Sequence, residues 1–183
     1  MLKKILIGVG VLVLVFVLWS VYGLFIATPA SPPATTEYSN QGLEISVKYS
    51  QPYKKGRLIF GDEADGALQP YGKYWRLGAN AATEITFNKD VLFAGKSVSA
   101  GSYRMYAVPG AQTFKVTLNS ELDVFFGVAE ADPELDILTV DAPVTMQDTE
   151  TEMFTININD SENGAQIDFV WDKVLFSVPI TVQ

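Results

Sequence analysis

Tyr71 to Thr83, YGKYWRLGANAAT, gathers the side chains best suited to chemistry in this chain. Gly72 and Gly78, with the small Ala79, Ala81 and Ala82, predict a tight loop in which backbone segments approach closely. Tyr71, Lys73, Tyr74, Trp75, Arg76 and Asn80 lie within it, and upstream Tyr53-Lys54-Lys55-Gly56-Arg57 adds three cations and another ring. Aromatic faces beside guanidinium groups suit sugar rings, whose C–H faces stack on the rings while Arg and Asn bond the hydroxyls. They equally suit an anionic ligand. Arg57, Tyr71, Tyr74, Trp75, Arg76 and Asn80 are therefore the candidate ligand-binding residues. The competing expectation is structural: Trp75 plugs a core, Arg76 pairs with an acidic strand, and Arg76 and Asn80 cap backbone groups of the loop.

Other chemistries are narrowed by what is missing. The chain has no Cys and no His, which removes thiolate nucleophiles, Ser-His-Asp triads, histidine-ligated zinc and imidazole proton shuttles. Catalysis is left to carboxylates, Lys, Tyr, Ser or Thr. A carboxylate-based hydrolase would draw on Glu84, directly after the loop, or on the pair Asp62 and Asp65. Nothing in the spacing sets two carboxylates roughly 5–10 Å apart across a cleft, so no catalytic residue is designated. Asp132, Glu134 and Asp136, or Asp160 and Glu162, offer oxygen ligands for a cation, but neither run has calcium-loop spacing. No metal and no cofactor are expected.

The net charge is −8, and it is unevenly distributed. Removing Lys3 and Lys4 from the 13 basic residues leaves 11 against 21 acidic ones. Between Lys115 and Lys173 there is no Lys or Arg, while 14 carboxylates occur from Glu121 to Asp172. This balance is the reverse of a nucleic-acid binder's, and it fits solvated outer faces of strands.

The elements that must position the loop read as strands. Apolar and polar residues alternate over Leu43–Ser50, Thr83–Phe87, Ser102–Pro109, Thr113–Asn119, Ile137–Val140, Met153–Asn159, Gln166–Trp171 and Val174–Val182. Short β-rich segments punctuated by Gly, Pro, Asn and Asp predict an all-β, antiparallel, jelly-roll-like β-sandwich. Asn163-Gly164 predicts one hairpin turn, Asp172-Lys173 a tighter one between the last two strands, and Gly61–Leu68 one short helical turn.

Ahead of this domain, Ile5 to Ile26 is an uncharged apolar run preceded by Lys3 and Lys4. As a helix its 22 residues would extend about 33 Å, enough for the hydrocarbon of a bilayer. The lysines orient such an anchor with its N-terminus in the cytoplasm. The alternative, a cleaved signal peptide, has a shorter apolar region of roughly 7–15 residues. The expected organisation is a transmembrane signal anchor over residues 1–27, a Pro-rich spacer over 28–40 and a β-sandwich ectodomain over 41–183. The bilayer, contacted through residues 5–26, is the expected partner, with an envelope glycan or small ligand outside the cytoplasm.

The stretches YGKYWRLGANAATEITFNKDV and AGSYRMYAVPG, with KGRLIFG before them and the Trp-Asp-Lys…Val-Pro-Ile ending, resemble the bacterial family named domain of unknown function 2911. The resemblance covers roughly Leu43 to Val182. It implies one β-rich domain of the cell envelope behind a signal or anchor. Tyr71, Gly72, Trp75, Arg76, Gly78, Ala79, Asn80, Thr83, Gly101, Tyr103 and Pro109 match its pattern by position. Leu77 and Ala81 depart from it, standing where the family usually has Thr and an acidic residue, and Phe126-Gly127 replaces a Trp-Gly pair. The family name implies no activity.

Overall fold

The computed structural model describes residues 2–25, 30–122, 124 and 129–183. The chain divides into two units, residues 1–30 and 31–183. The first holds α1 (Leu2–Phe25), 24 residues with no acidic group in its first turn and no basic group in its last. Its side chains are described over residues 3–4 and 7–23. Among the described residues no helix is long and apolar enough to cross a membrane, so the expected span is not shown.

The second unit is mostly antiparallel β-structure. Its strands are β1 (Pro33–Asn40), β2 (Leu43–Ser50), β3 (Phe60–Gly61), β4 (Gln69–Pro70), β5 (Thr83–Phe87) and β6 (Val91–Phe93). There follow β7 (Lys96–Val98), β8 (Gly101–Val108), β9 (Thr113–Asn119), β10 (Asp136–Ser161) and β11 (Gly164–Val182). Nine of them form one sheet in the order β1-β2-β5-β8-β9-β10-β11-β6-β7, and β3 pairs with β4 in parallel. β10 binds both halves: its first residues pair with β9, and from Val144 onward it pairs with β11. The sheet thereby folds over itself, and strands far apart in its order meet through rings. Tyr49 of β2 touches Phe154 of β10, Phe87 of β5 touches Phe93 of β6, and Phe114 of β9 touches Phe176 of β11. The Tyr49 hydroxyl also accepts from the Ile156 amide at 3.0 Å.

Alternation set the inner face. Leu43, Ile45, Val47 and Tyr49 of β2 are buried, as are Phe114, Val116 and Leu118 of β9 and Ile167, Phe169 and Trp171 of β11. Burial of each large side chain contributes about 1.5–3 kcal/mol relative to exposure.

Three expectations are corrected. Residues 33–40 of the spacer are the edge strand β1, with Pro33 at its first position, where a missing amide is tolerated. Asp172-Lys173 does not reverse the chain. Asp172, at φ 56°, faces Thr151 at a register shift inside the continuous β10–β11 ladder, so the local irregularity kinks the pair instead. Jelly-roll connectivity gives way to a run of sequential neighbours from β8 to β11. The hairpin between β10 and β11 falls where expected, but it turns at Glu162-Asn163, with Ser161 paired to Gly164 and positive φ at Gly164 and not at Asn163; a 3-10 turn at Glu63–Asp65 occupies Gly61–Leu68.

Candidate functional site

The loop after β4 is held to β8 by backbone bonds. Trp75 and Ala107 exchange both N–H···O=C bonds at 2.8 Å, and the Gly72 amide donates to the Pro109 carbonyl at 2.8 Å. This bridge makes the loop locally strand-like, so successive side chains alternate between faces. Trp75 and Leu77 turn into the core, where Trp75 is 2% exposed and packs on Phe60, Phe154 and Trp171. Tyr74 and Arg76 are thereby directed to the opposite, outer face.

Further contacts fix the turn. Thr83 Oγ1 donates to the Leu77 carbonyl at 2.6 Å. Gly78, at φ 153°, lies so close to β2 that a Cβ there would sit 2.7 Å from the Ser50 carbonyl oxygen, a space only glycine leaves. Arg76 Nη1 donates to the Asn80 carbonyl at 2.9 Å, and Asn80 Nδ2 to the Ser31 carbonyl at 3.2 Å. The result is a depression of about 290 Å³ lined by Gln69, Tyr74, Trp75, Arg76, Gly78, Ala79 and Asn80.

The candidate residues separate accordingly. Tyr74, Arg76 and Asn80 meet at this depression, but the Trp75 ring belongs to the core and has no face to offer a sugar. Tyr71 is half-buried and packs against the core from the side. Arg57 lies apart from them: its Nε donates to the Lys54 carbonyl at 2.9 Å and its Nη2 to the Tyr53 carbonyl, tying down its own turn.

Behind Tyr74 lies a group the sequence did not single out. Arg104 of β8 is 1% exposed on the outer face. Its Nη1 donates to Glu121 at 2.5 Å, and its Nη2 to the Tyr74 hydroxyl at 2.8 Å and to the Ala129 carbonyl at 2.7 Å. Its guanidinium carbon stands 5.9 Å from the Tyr74 ring centroid. Arg104 is one step in a cross-strand row on that face: Lys48 opposes Glu84, Glu84 opposes Arg104, Arg104 opposes Asn119, and Asn119 opposes Asp136. Asn119 is fully buried and donates to Asp136 at 2.8 Å, and the Tyr106 hydroxyl donates to the same carboxylate at 2.8 Å. Tyr106 in turn packs on Tyr74, with ring centroids 4.9 Å apart.

Burial shifts both phenols. Tyr74 is raised by desolvation, opposed by the Arg104 bond and charge. Tyr106 is pushed up to about 12, first by desolvation and then by its bond to Asp136. Neither phenol ionises at neutral pH, so both serve as hydrogen-bonding groups.

The carboxylates considered for catalysis or cation binding lie elsewhere. Among the described residues, none lines the depression. Glu84 stands between Lys48 and Arg104 on the sheet, and Asp62 precedes and Asp65 ends the exposed 3-10 turn at Glu63–Asp65. Asp132 caps the 3-10 turn at Pro133–Leu135 through the Glu134 amide, and Asp160 accepts from Tyr38 and Asn40. Asp132 Oδ1 and Asp160 Oδ1 thus already serve protein donors. Among the described residues no cluster fit for a metal occurs.

A family profile described as "Protein of unknown function (DUF2911)" matches residues 31–180. The chain belongs to that family. No curated protein and no solved structure matches it. Most of the family pattern found in the sequence has a structural duty here: Trp75 fills the core, Gly78 admits Ser50, Thr83 ties Leu77, and Pro109 accepts from Gly72. Arg76 and Asn80 close the rim of the depression. Ala81, which departs from the pattern, is exposed, and Phe126-Gly127 falls outside the described residues.

Proposed function

We propose that the β domain of this DUF2911 protein is a small-ligand binding module of the cell envelope, held to the membrane by its N-terminal segment. The observation that carries the binding reading is the outer-face depression, in which Tyr74, Arg76 and Asn80 converge on a scaffold fixed by Trp75 and Gly78. Rigid backing lowers the entropy cost of holding a ligand. Burial of Trp75 favours hydrogen bonding over ring stacking as the mode of recognition. Envelope glycan fragments and small polar molecules are the ligands to test. Binding of peptidoglycan fragments to the full chain in detergent, with Arg76→Ala and Asn80→Ala beside wild type, tests it. Binding that weakens at least tenfold in both variants supports the site; equal retention by all three speaks for a purely structural loop.

The anchor reading rests on the sequence from Ile5 to Ile26, free of charge, and on α1 extending 24 residues, about 36 Å. The consecutive Val11, Leu12, Val13 and Leu14 are 54%, 71%, 56% and 58% exposed on it, and a helix apolar on every side needs lipid or protein around it. In this reading Lys3 and Lys4 stay cytoplasmic and the domain lies on the far side. Extraction of membranes at alkaline pH tests it: retention in the pellet supports a span, and release into the wash opposes it.

A further inference from the structure

We infer that a second pocket, at the end of β1 remote from Ser31, binds a neutral sugar. There β1 returns into β2 through the two-residue turn Gln41-Gly42, where both φ angles are positive, at 49° and 77°. The β10–β11 hairpin turns beside it at Glu162-Asn163. Between these turns and Val182, at the end of β11, lies a pocket of about 450 Å³. Ser31, which accepts from Asn80 at the rim of the outer-face depression, precedes the other end of β1. Eight residues of strand, roughly 25 Å, thus run between the two sites, and neither needs the other to bind.

The walls of this pocket are preset. The Tyr38 hydroxyl stands 2.9 Å from Asp160 Oδ1 and 3.0 Å from the Gly164 carbonyl, and Asn40 Nδ2 donates to the same Asp160 oxygen at 2.8 Å. These bonds fasten the β1–β2 turn to the β10–β11 hairpin, so Tyr38 and Asn40 are positioning residues, and a site held this way loses little entropy on binding. Four polar side chains remain: the Gln41 and Asn163 carboxamides, the Ser161 hydroxyl and the Glu162 carboxylate. All four line the pocket, and no hydrogen bond or ion pair among the described residues engages them.

Their chemistry selects the class of ligand. Each carboxamide donates and accepts, the hydroxyl does both, and the carboxylate accepts on two oxygens. That mixture matches neighbouring sugar hydroxyls, each of which donates and accepts. Leu43 and Val182 supply apolar lining against which the C–H side of a ring rests. The described lining holds no Lys or Arg, and Asp160 and Glu162 put two carboxylates at the hairpin, so an anionic sugar finds no partner and is repelled. Three neutral polar groups against one lining carboxylate favour a hydroxylated ligand over a bare amine. The volume suits one or two sugar rings.

The test titrates sugars into the full chain in a zwitterionic detergent, because sugar-headed detergents would compete, and reads the backbone amide resonances of Gln41, Glu162, Asn163 and Gly164. Glucose, galactose and N-acetylglucosamine are compared with their charged counterparts, glucuronic acid, galacturonic acid and glucosamine, at equal ionic strength. At least one neutral sugar should give saturable shifts of these amides, with its charged counterpart about tenfold weaker or more. Asn163→Ala and Glu162→Ala, at exposed turn positions, should each weaken that sugar about tenfold. The comparison of neutral with charged sugars on wild type needs no variant to fold. Saturation by none of the neutral sugars, or equal or tighter binding of the charged counterpart, overturns the inference. Shifts confined to Gly78, Ala79 and Asn80 overturn it too, while leaving the outer-face depression as a ligand site.

Discussion

Tyr74, Trp75 and Arg76 are consecutive, yet the bridge to Ala107 gives them opposite duties. Trp75 is part of the core; Tyr74 and Arg76 face outward. Their substitutions should therefore differ in kind. Trp75→Ala is expected to destabilise the domain by about 3–5 kcal/mol through cavity formation. Arg76→Ala should cost markedly less, since Arg76 lies at the half-buried rim and its Nη1 bond is to an exposed loop carbonyl. Urea denaturation of the two variants checks the contrast, and similar losses would contradict it. Arg104→Met should destabilise by about 2–4 kcal/mol, because it leaves the Ala129 carbonyl and the Tyr74 hydroxyl without their donor. The tight loop and its polar rim were legible from Gly72, Gly78 and the residues between them. Arg104 was not: in sequence it is one more polar position of an alternating strand. Its burial depends on Glu121 and Ala129, brought over it from a distant segment. Only the register that sets Arg104 between Glu84 and Asn119 shows its place.

At the level of elements, the hairpin joining β10 to β11 depends on Gly164. A Cβ there would stand 2.2 Å from the Ile180 carbonyl oxygen, and φ is 151°. Gly164→Ala should lower the unfolding free energy by more than about 2 kcal/mol, measured by thermal and urea melts, whereas Asn163→Ala should cost under about 1 kcal/mol. Strands with a buried face were readable because their apolar residues recur every second position, as in Leu43–Tyr49 and Phe114–Leu118. The two- and three-residue strands Phe60–Gly61, Gln69–Pro70, Val91–Phe93 and Lys96–Val98 carry too few residues to show a period. Pro33 disguised β1, whose inward Ala34, Thr36 and Tyr38 are only partly buried and include a Thr, so no strong apolar alternation marks it. Asp172-Lys173 has turn-forming residues, but Lys54 reaches Asp172 at 2.8 Å and Glu150 at 2.9 Å, fastening the kink to the β10–β11 ladder.

Across the whole molecule, alkaline pH acts on several groups with one sign. Lys54 is raised by its bonds to Asp172 and Glu150, and Tyr74 and Tyr106 are raised by burial. A group raised on folding contributes stability that is complete below its unfolded value, near 10 for Tyr, and is lost as pH climbs through its folded value. For Tyr106 that window runs from about 10 to about 12. Stability should therefore fall over this range, by up to about 2–3 kcal/mol from Tyr106 alone. Tyr106→Phe should show a shallower fall despite losing about 1 kcal/mol at neutral pH with the Asp136 bond. Equal slopes for both proteins would contradict the buried placement of that phenol. The central claim is that the outer-face depression, and not the core beneath it, is the functional part of the domain. It is tested most directly by the ligand-induced rise in Tm of the detergent-solubilised full chain across peptidoglycan fragments and N-acetylated amino acids, with Arg76→Ala alongside. At least one compound should raise the Tm of wild type and leave Arg76→Ala unmoved; equal rises in both proteins, or no rise in either, would contradict the claim.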